Sequence, residues 1–101
     1  MQDITVEELK SRMDAGETLH IIDVREPDEY AEFNIGAKLI PLQQILGMQT
    51  DEIDGWKEEE VILHCRSGKR SLHAGLMLET MGFKNVKNLA GGMVAWQEKF
   101  S

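Results

Sequence analysis

The chain has 101 residues, 42% of them hydrophobic and 29% charged, with a formal net charge of −7 at pH 7. That is the length and composition of one globular domain, residues 1–101, able to build a core without disulfides or metals. The acidic balance argues against a nucleic-acid binder, the single cysteine excludes an internal disulfide, and no apolar run reaches membrane-spanning length. The first residues carry neither the basic region nor the apolar run of a signal peptide, so the expected location is the cytoplasm.

Thr5-Val-Glu-Glu8 has the spacing of a capping box. Val6, Leu9 and Met13 then share a helical face, and Gly16 marks the stop. Leu19–Val24 is a short apolar run of the kind found in a strand covered on both faces. Glu26-Pro27 suits a helix start, followed by Asp28 and Glu29 where the helix dipole favours negative charge, and this helix should end near Phe33-Asn34. Lys38–Ile40 reads as a third strand bounded by Pro41. Two helical turns are expected over Leu42–Leu46 and Thr50–Ile53, split at Gly47. Glu58–Glu60 is a charged turn before the strand Val61–His64. The next helix is expected from Lys69 to Met81, with Ala74, Met77, Leu78 and Met81 on its apolar face, widened by Leu72, Gly75 and Leu76, and Gly82 as its cap. Val86–Leu89 is a further strand, and Ala90-Gly91-Gly92 turns into a last helix carrying Met93 and Trp96. Strands alternating with helices predict an α/β domain whose mostly parallel sheet has helices on both faces. Sites in such sheets form beyond the carboxyl ends of strands.

Cys65 stands at such an end, in Val61-Ile-Leu-His-Cys-Arg-Ser-Gly-Lys-Arg-Ser71. Arg66, Lys69 and Arg70 follow it within five residues, against the acidic background of the chain. A lone cysteine at a strand end is most often a small buried hydrophobe. Such a residue has no use for clustered cations and a glycine, and their presence favours a nucleophile. An unperturbed thiol, pKa about 8.5, is mostly protonated at neutral pH, whereas a helix N-terminus and nearby cations lower it to roughly 3.5–7.5. A shift of about two units corresponds to roughly 2.7 kcal/mol. Gly68 would let the loop amides converge on the sulfur, and the cations would attract an anionic substrate. Deprotonation and access are thus expected together. His64, adjacent to Cys65 on a strand, should point to the opposite face and is read as a packed residue rather than a base. His20 and His73 are read as surface or structural, Trp56 and Trp96 as core. Zinc is not expected, since there is no second cysteine and no paired ligand spacing.

Loop length separates two chemistries. Cysteine-dependent phosphatases have a similar arrangement, with five residues between the cysteine and an arginine. Here Ser71 occupies that arginine's place and Arg70 closes a loop one residue shorter. A tetrahedral phosphoryl group needs the wider cradle, whereas one sulfur atom does not.

The sequence resembles a single-domain rhodanese, a thiosulfate sulfurtransferase, along nearly its whole length. The similarity lies in Ile22-Asp-Val-Arg-Glu26 with Glu29-Tyr30, in Gly36-Ala37 and Ile40-Pro-Leu42, in His64–Ser71, and in Gly82-Phe83, Val86, Leu89, Gly91-Gly92 and Trp96. It implies a three-layer fold with a five-stranded sheet, one strand more than the residues alone suggest. It also implies transfer of a sulfane sulfur, from thiosulfate or another small anionic donor, through a Cys65 persulfide to cyanide or a cellular thiol. No cofactor is implied, and a donor or acceptor protein is a candidate partner. Arg66, Ser67, Gly68, Lys69 and Arg70 would bind the substrate, with Ser71, Asp23 and Arg25 supporting. Asp23 and Arg25 are read first as a buried ion pair or loop brace, with Glu29 as a candidate partner for Arg25. The competing readings are a persulfide carrier or non-catalytic interaction module on the same fold, then a phosphatase or arsenate reductase. One departure stands out: the family's Gly-His-Ile, one further residue, then Gly-Ala is here Phe33-Asn34-Ile35 running directly into Gly36, a change expected to reshape the pocket rim.

Overall fold

A computed structural model describes residues 1–100. Five strands, β1 (Gln2–Ile4), β2 (His20–Asp23), β3 (Lys38–Leu39), β4 (Glu60–His64) and β5 (Asn85–Leu89), form one sheet in the order β1-β5-β4-β2-β3. Every neighbouring pair is parallel. The helices are α1 (Val6–Asp14), α2 (Pro27–Glu32), α3 (Leu42–Leu46), α4 (Lys69–Thr80) and α5 (Gly92–Phe100), with a 3-10 turn over Asp51–Trp56.

Period-2 alternation along the strands divides the core into two layers. Ile22, Val61, Leu63 and Val86 pack with Ile45, Ala74 and Leu78 under α3 and α4. Ile4, Ile62 and Leu89 pack with Val6, Leu9, Met93 and Trp96 under α1 and α5. Burying both sheet faces is what an all-parallel sheet requires. The central strand β4 is covered from both sides, and its carboxyl end opens at Cys65.

The expected five-stranded sheet is present, and two finer expectations change. The fifth strand is β1, an edge strand on β5 whose three residues are too short and too polar to show strand periodicity. Leu72 and Leu76 do not widen the buried face of α4 and stand exposed. The helix instead meets the sheet through Ser71, Ala74, Gly75 and Leu78. A Cβ on Gly75 would lie 3.3 Å from Leu63 Cδ1, so small residues set the contact and the larger ones stay outside. At α1, Thr5 caps Glu8 N at 3.1 Å as expected, but Glu8 returns the contact to the Thr5 hydroxyl rather than to its amide.

Candidate active site

The loop after β4 is shaped by what happens to its carbonyls. The amides of Met93 and Val94, at the start of α5, donate to the carbonyls of Cys65 and Arg66 at 3.0 and 2.9 Å. Asn88 Nδ2 on β5 donates to the carbonyl of Gly68 at 3.2 Å. With the carbonyls held on that side, the loop amides face the sulfur. Gly68 N donates to Cys65 Sγ at 3.1 Å and Ser71 N at 3.4 Å, with the Ser71 hydroxyl also 3.4 Å away. Two glycines make this backbone path available. Gly68 has φ +107°, a left-handed conformation that a side chain would strain. Gly92 has φ +56°, and a Cβ there would come within 2.5 Å of the Cys65 carbonyl oxygen.

Burial pushes the Cys65 thiol up, while the hydroxyl and amide of Ser71 and the amides of Gly68 and Ser67 pull it down. The donors win, and the thiol lies below its ordinary value. The expected openness is not there: Cys65 is only 1% exposed. The reason is geometric, because a sulfur surrounded by amides is recessed by the groups that ionise it.

The cations are arranged less uniformly than the sequence suggests. Arg70 is engaged by Glu29 through two bonds of 2.7 and 2.9 Å. The Arg70 guanidinium holds Glu29 down at about 2, against the desolvation that would raise it. Glu29 also accepts from the amide of Glu26 at 3.0 Å, so it joins the start of α2 to α4. Its direct side-chain partner is Arg70, while Arg25 acts on it through space. Arg66 and Lys69 remain exposed. Arg66 lines an open cleft of about 520 Å³ with Arg25, Glu29, Glu32, Phe33 and Val94.

Arg25 turns to Asp23, with Nη2–Oδ2 at 2.8 Å and Nε–Oδ1 at 3.0 Å, and donates to the carbonyl of Phe33 at 2.6 Å. The pair is buried. The shortened segment lies at the rim of the cleft, since Phe33 lines it. Asn34 closes that turn by donating to the Tyr30 carbonyl at 3.0 Å and accepting from Gly36 N at 2.9 Å.

His64 is fully buried, packed beside Asp23 at 3.7 Å, and neither ring nitrogen finds a hydrogen-bond partner among the described residues. Burial pushes it down to about 4, with Asp23 opposing, so it is neutral at physiological pH. His20 stacks on Trp56 at 4.1 Å and pairs with Glu59, while His73 is exposed. No group of three or more potential metal ligands occurs among the described residues, and no helix there is long and apolar enough to cross a membrane.

Sequence reasoning missed Asn88. The available signal was alternation: Asn88 shares a strand face with Val86, which packs in the α4 layer, so a polar side chain there points at something it must bond.

The chain is thus a parallel α/β domain with a cysteine at the end of its central strand, ringed by loop amides at a helix start. The rhodanese-like domain profile matches residues 5–99, and the chain belongs to that family. It is 36% identical over 97 residues to YtwF of Bacillus subtilis, which is named provisionally as a sulfurtransferase, covering 96% of this chain and 91% of that protein. It is 33% identical to a sulfurtransferase of Allochromatium vinosum, covering 95% and 88% of the two chains. The crystal structure of a rhodanese-like domain protein from Staphylococcus aureus superposes with a TM-score of 0.84 at 34% identity, covering 95% and 91% of the two chains.

Proposed function

We propose that this chain moves a sulfane sulfur from a small anionic donor, thiosulfate or a similar compound, to a thiophilic acceptor through a persulfide on Cys65. The observation that supports this most directly is the convergence of the Gly68 and Ser71 amides on Cys65 Sγ at 3.1 and 3.4 Å. In the first step the Cys65 thiolate attacks the outer sulfur of thiosulfate. The new Cys–S bond forms as the donor's S–S bond breaks, and sulfite leaves with the bonding electron pair. In the second step a nucleophile, cyanide in an assay or a thiol, attacks the terminal sulfur and Cys65 departs as thiolate. This is covalent catalysis, and ping-pong kinetics are expected.

The chain's residues divide the work. Amides of Ser67, Gly68 and Ser71 stabilise negative charge on the sulfur without reorganising. Arg66 and Lys69, exposed at the loop, attract the anionic donor. Arg70 is paired with Glu29, which offsets its charge and ties the start of α4 to α2. Asp23 and Arg25 brace the segment beside the loop. Since Cys65 is the only cysteine, release of the sulfur needs an outside nucleophile.

Incubation with thiosulfate should add the mass of one sulfur atom to the intact protein, and cyanide should remove it. Cys65→Ser should show neither adduct nor turnover. Absence of an adduct with every sulfane donor tried would refute the assignment.

A further inference from the structure

The Ser71 hydroxyl carries one proton and has two neighbours that could take it. Asn88 Oδ1 lies 2.5 Å from Ser71 Oγ, and Cys65 Sγ lies 3.4 Å away. The orientation of the Asn88 amide follows from its other end, since Nδ2 donates to the Gly68 carbonyl at 3.2 Å. Rotating the amide would set two carbonyl oxygens against each other, so the oxygen is the atom that faces Ser71. Ser71 and Asn88 are both buried, at 0% and 7% exposed, which shields this contact from competing water.

We propose that Asn88 is a positioning residue of the sulfur-transfer site: it holds the Ser71 hydroxyl proton while Cys65 is a thiol and releases it to the sulfur when Cys65 becomes an anion. In the thiol state the chain runs S–H to Ser71 Oγ, then Ser71 O–H to Asn88 Oδ1. On ionisation the thiol proton leaves to solvent, the Ser71 O–H turns to donate to the thiolate, and Asn88 Oδ1 loses its donor. Only a hydroxyl rotates, and no covalent bond other than S–H is broken. Asn88 therefore competes with the thiolate for one hydrogen bond. Asn88 Nδ2 shares the Gly68 carbonyl with the Leu72 amide, which donates to it at 3.1 Å, so that carbonyl stays held when Asn88 is removed. One strand residue thus bears on how readily the loop's nucleophile ionises. The inference rests on Cys65 being the nucleophile.

The test reads the ultraviolet absorbance of the Cys65 thiolate against pH, which requires no donor and no turnover. Failure of the sulfur-transfer assignment would therefore leave the titration interpretable. Removing the acceptor with Asn88→Ala frees the Ser71 proton and should lower the titration midpoint by about half to one unit, the worth of a single hydrogen bond. In a Ser71→Ala background the same substitution should produce no fall. The charged groups carried by surrounding elements are Arg66, Lys69 and Arg70 on the loop and α4, Glu29 on α2, Asp23 and Arg25 on and beside β2, and His64 on β4. They are common to all four proteins and cancel in this comparison. A midpoint that rises in Asn88→Ala, or shifts equally with and without Ser71, would overturn the proposal. A second measurement needs no Asn88 variant and covers the case in which that one does not fold. The side-chain carbonyl carbon resonance of Asn88 in labelled protein should titrate with the Cys65 midpoint and stay flat in Cys65→Ser. A flat resonance in the unsubstituted protein would equally overturn it.

Discussion

Replacing Gly92 with alanine places a methyl carbon 2.5 Å from the Cys65 carbonyl oxygen and 2.6 Å from that of Arg66. Both contacts are backbone atoms of the loop, so no side-chain rotation relieves them. Bringing the nearer one to 3.0 Å, the lower limit of real contacts, needs about 0.5 Å of retreat. The same shift at Gly68 would stretch its 3.1 Å bond to Cys65 Sγ to about 3.6 Å. Two costs follow. The left-handed conformation at Gly92 costs an alanine about 1–2 kcal/mol, and overpacking adds about 1–3 kcal/mol. The variant should therefore be less stable by about 2–5 kcal/mol. At that length the N–H···S bond is weakened rather than lost, which costs up to about 1.4 kcal/mol and lowers the thiolate population by up to about 10-fold where the thiol form dominates. Gly36→Ala is the control, because Gly36 has φ +82° but a Cβ there would have nothing within 4 Å. It should lose about 1–2 kcal/mol from backbone strain and keep its thiol reactivity. Urea denaturation gives the first quantity and the pH dependence of iodoacetamide alkylation the second. If Gly92→Ala matches Gly36→Ala in both, the account of the loop as clamped by α5 is wrong.

Acid stability should separate into two windows. His64 ionises at about 4 in the folded chain against 6.5 ordinarily, so the native state binds fewer protons between those values. Stability then falls as pH drops through this range, by up to about 3 kcal/mol, and His64→Phe should flatten the fall in urea midpoints. Glu29 and Glu60, each held at about 2 by hydrogen bonds from Arg70 and Arg12, instead lose their contribution as pH falls from 4.5 toward 2. Asp23→Ala leaves the Arg25 guanidinium buried and unpaired and should cost about 3–5 kcal/mol in urea denaturation, most of it recovered by the double change Asp23→Leu with Arg25→Met. Glu29→Gln removes the carboxylate that neutralises Arg70. Alkylation by the anion iodoacetate should speed up severalfold relative to neutral iodoacetamide, an effect that high salt abolishes; an unchanged ratio would count against a steering role for Arg70.

The parallel α/β class and the strand–loop–helix around Cys65 were legible because both are written locally. The apolar run Val61–Leu63 needs cover on two faces, and Gly68 follows Cys65 within the same loop. Strand β1 was illegible because three residues carry no period, and it exists only as a partner to β5. Leu72 and Leu76 misled because an apolar stripe wider than the contact cannot say which part of it is buried.

The sequence by itself determined the nucleophile candidate, the cations near it and the length of the loop, since these are matters of residue type and spacing. Tertiary structure alone decided which charges remain free. Glu29 lies 41 residues from Arg70 and neutralises it, leaving Arg66 and Lys69 as the exposed cations of the loop. It also decided how the loop is held, because Asn88 and Gly92 act on carbonyls that chain folding brings to them. Hydrogen bonds and ion pairs are short-ranged, so which distant groups form them is fixed only when the sheet and its helices have packed.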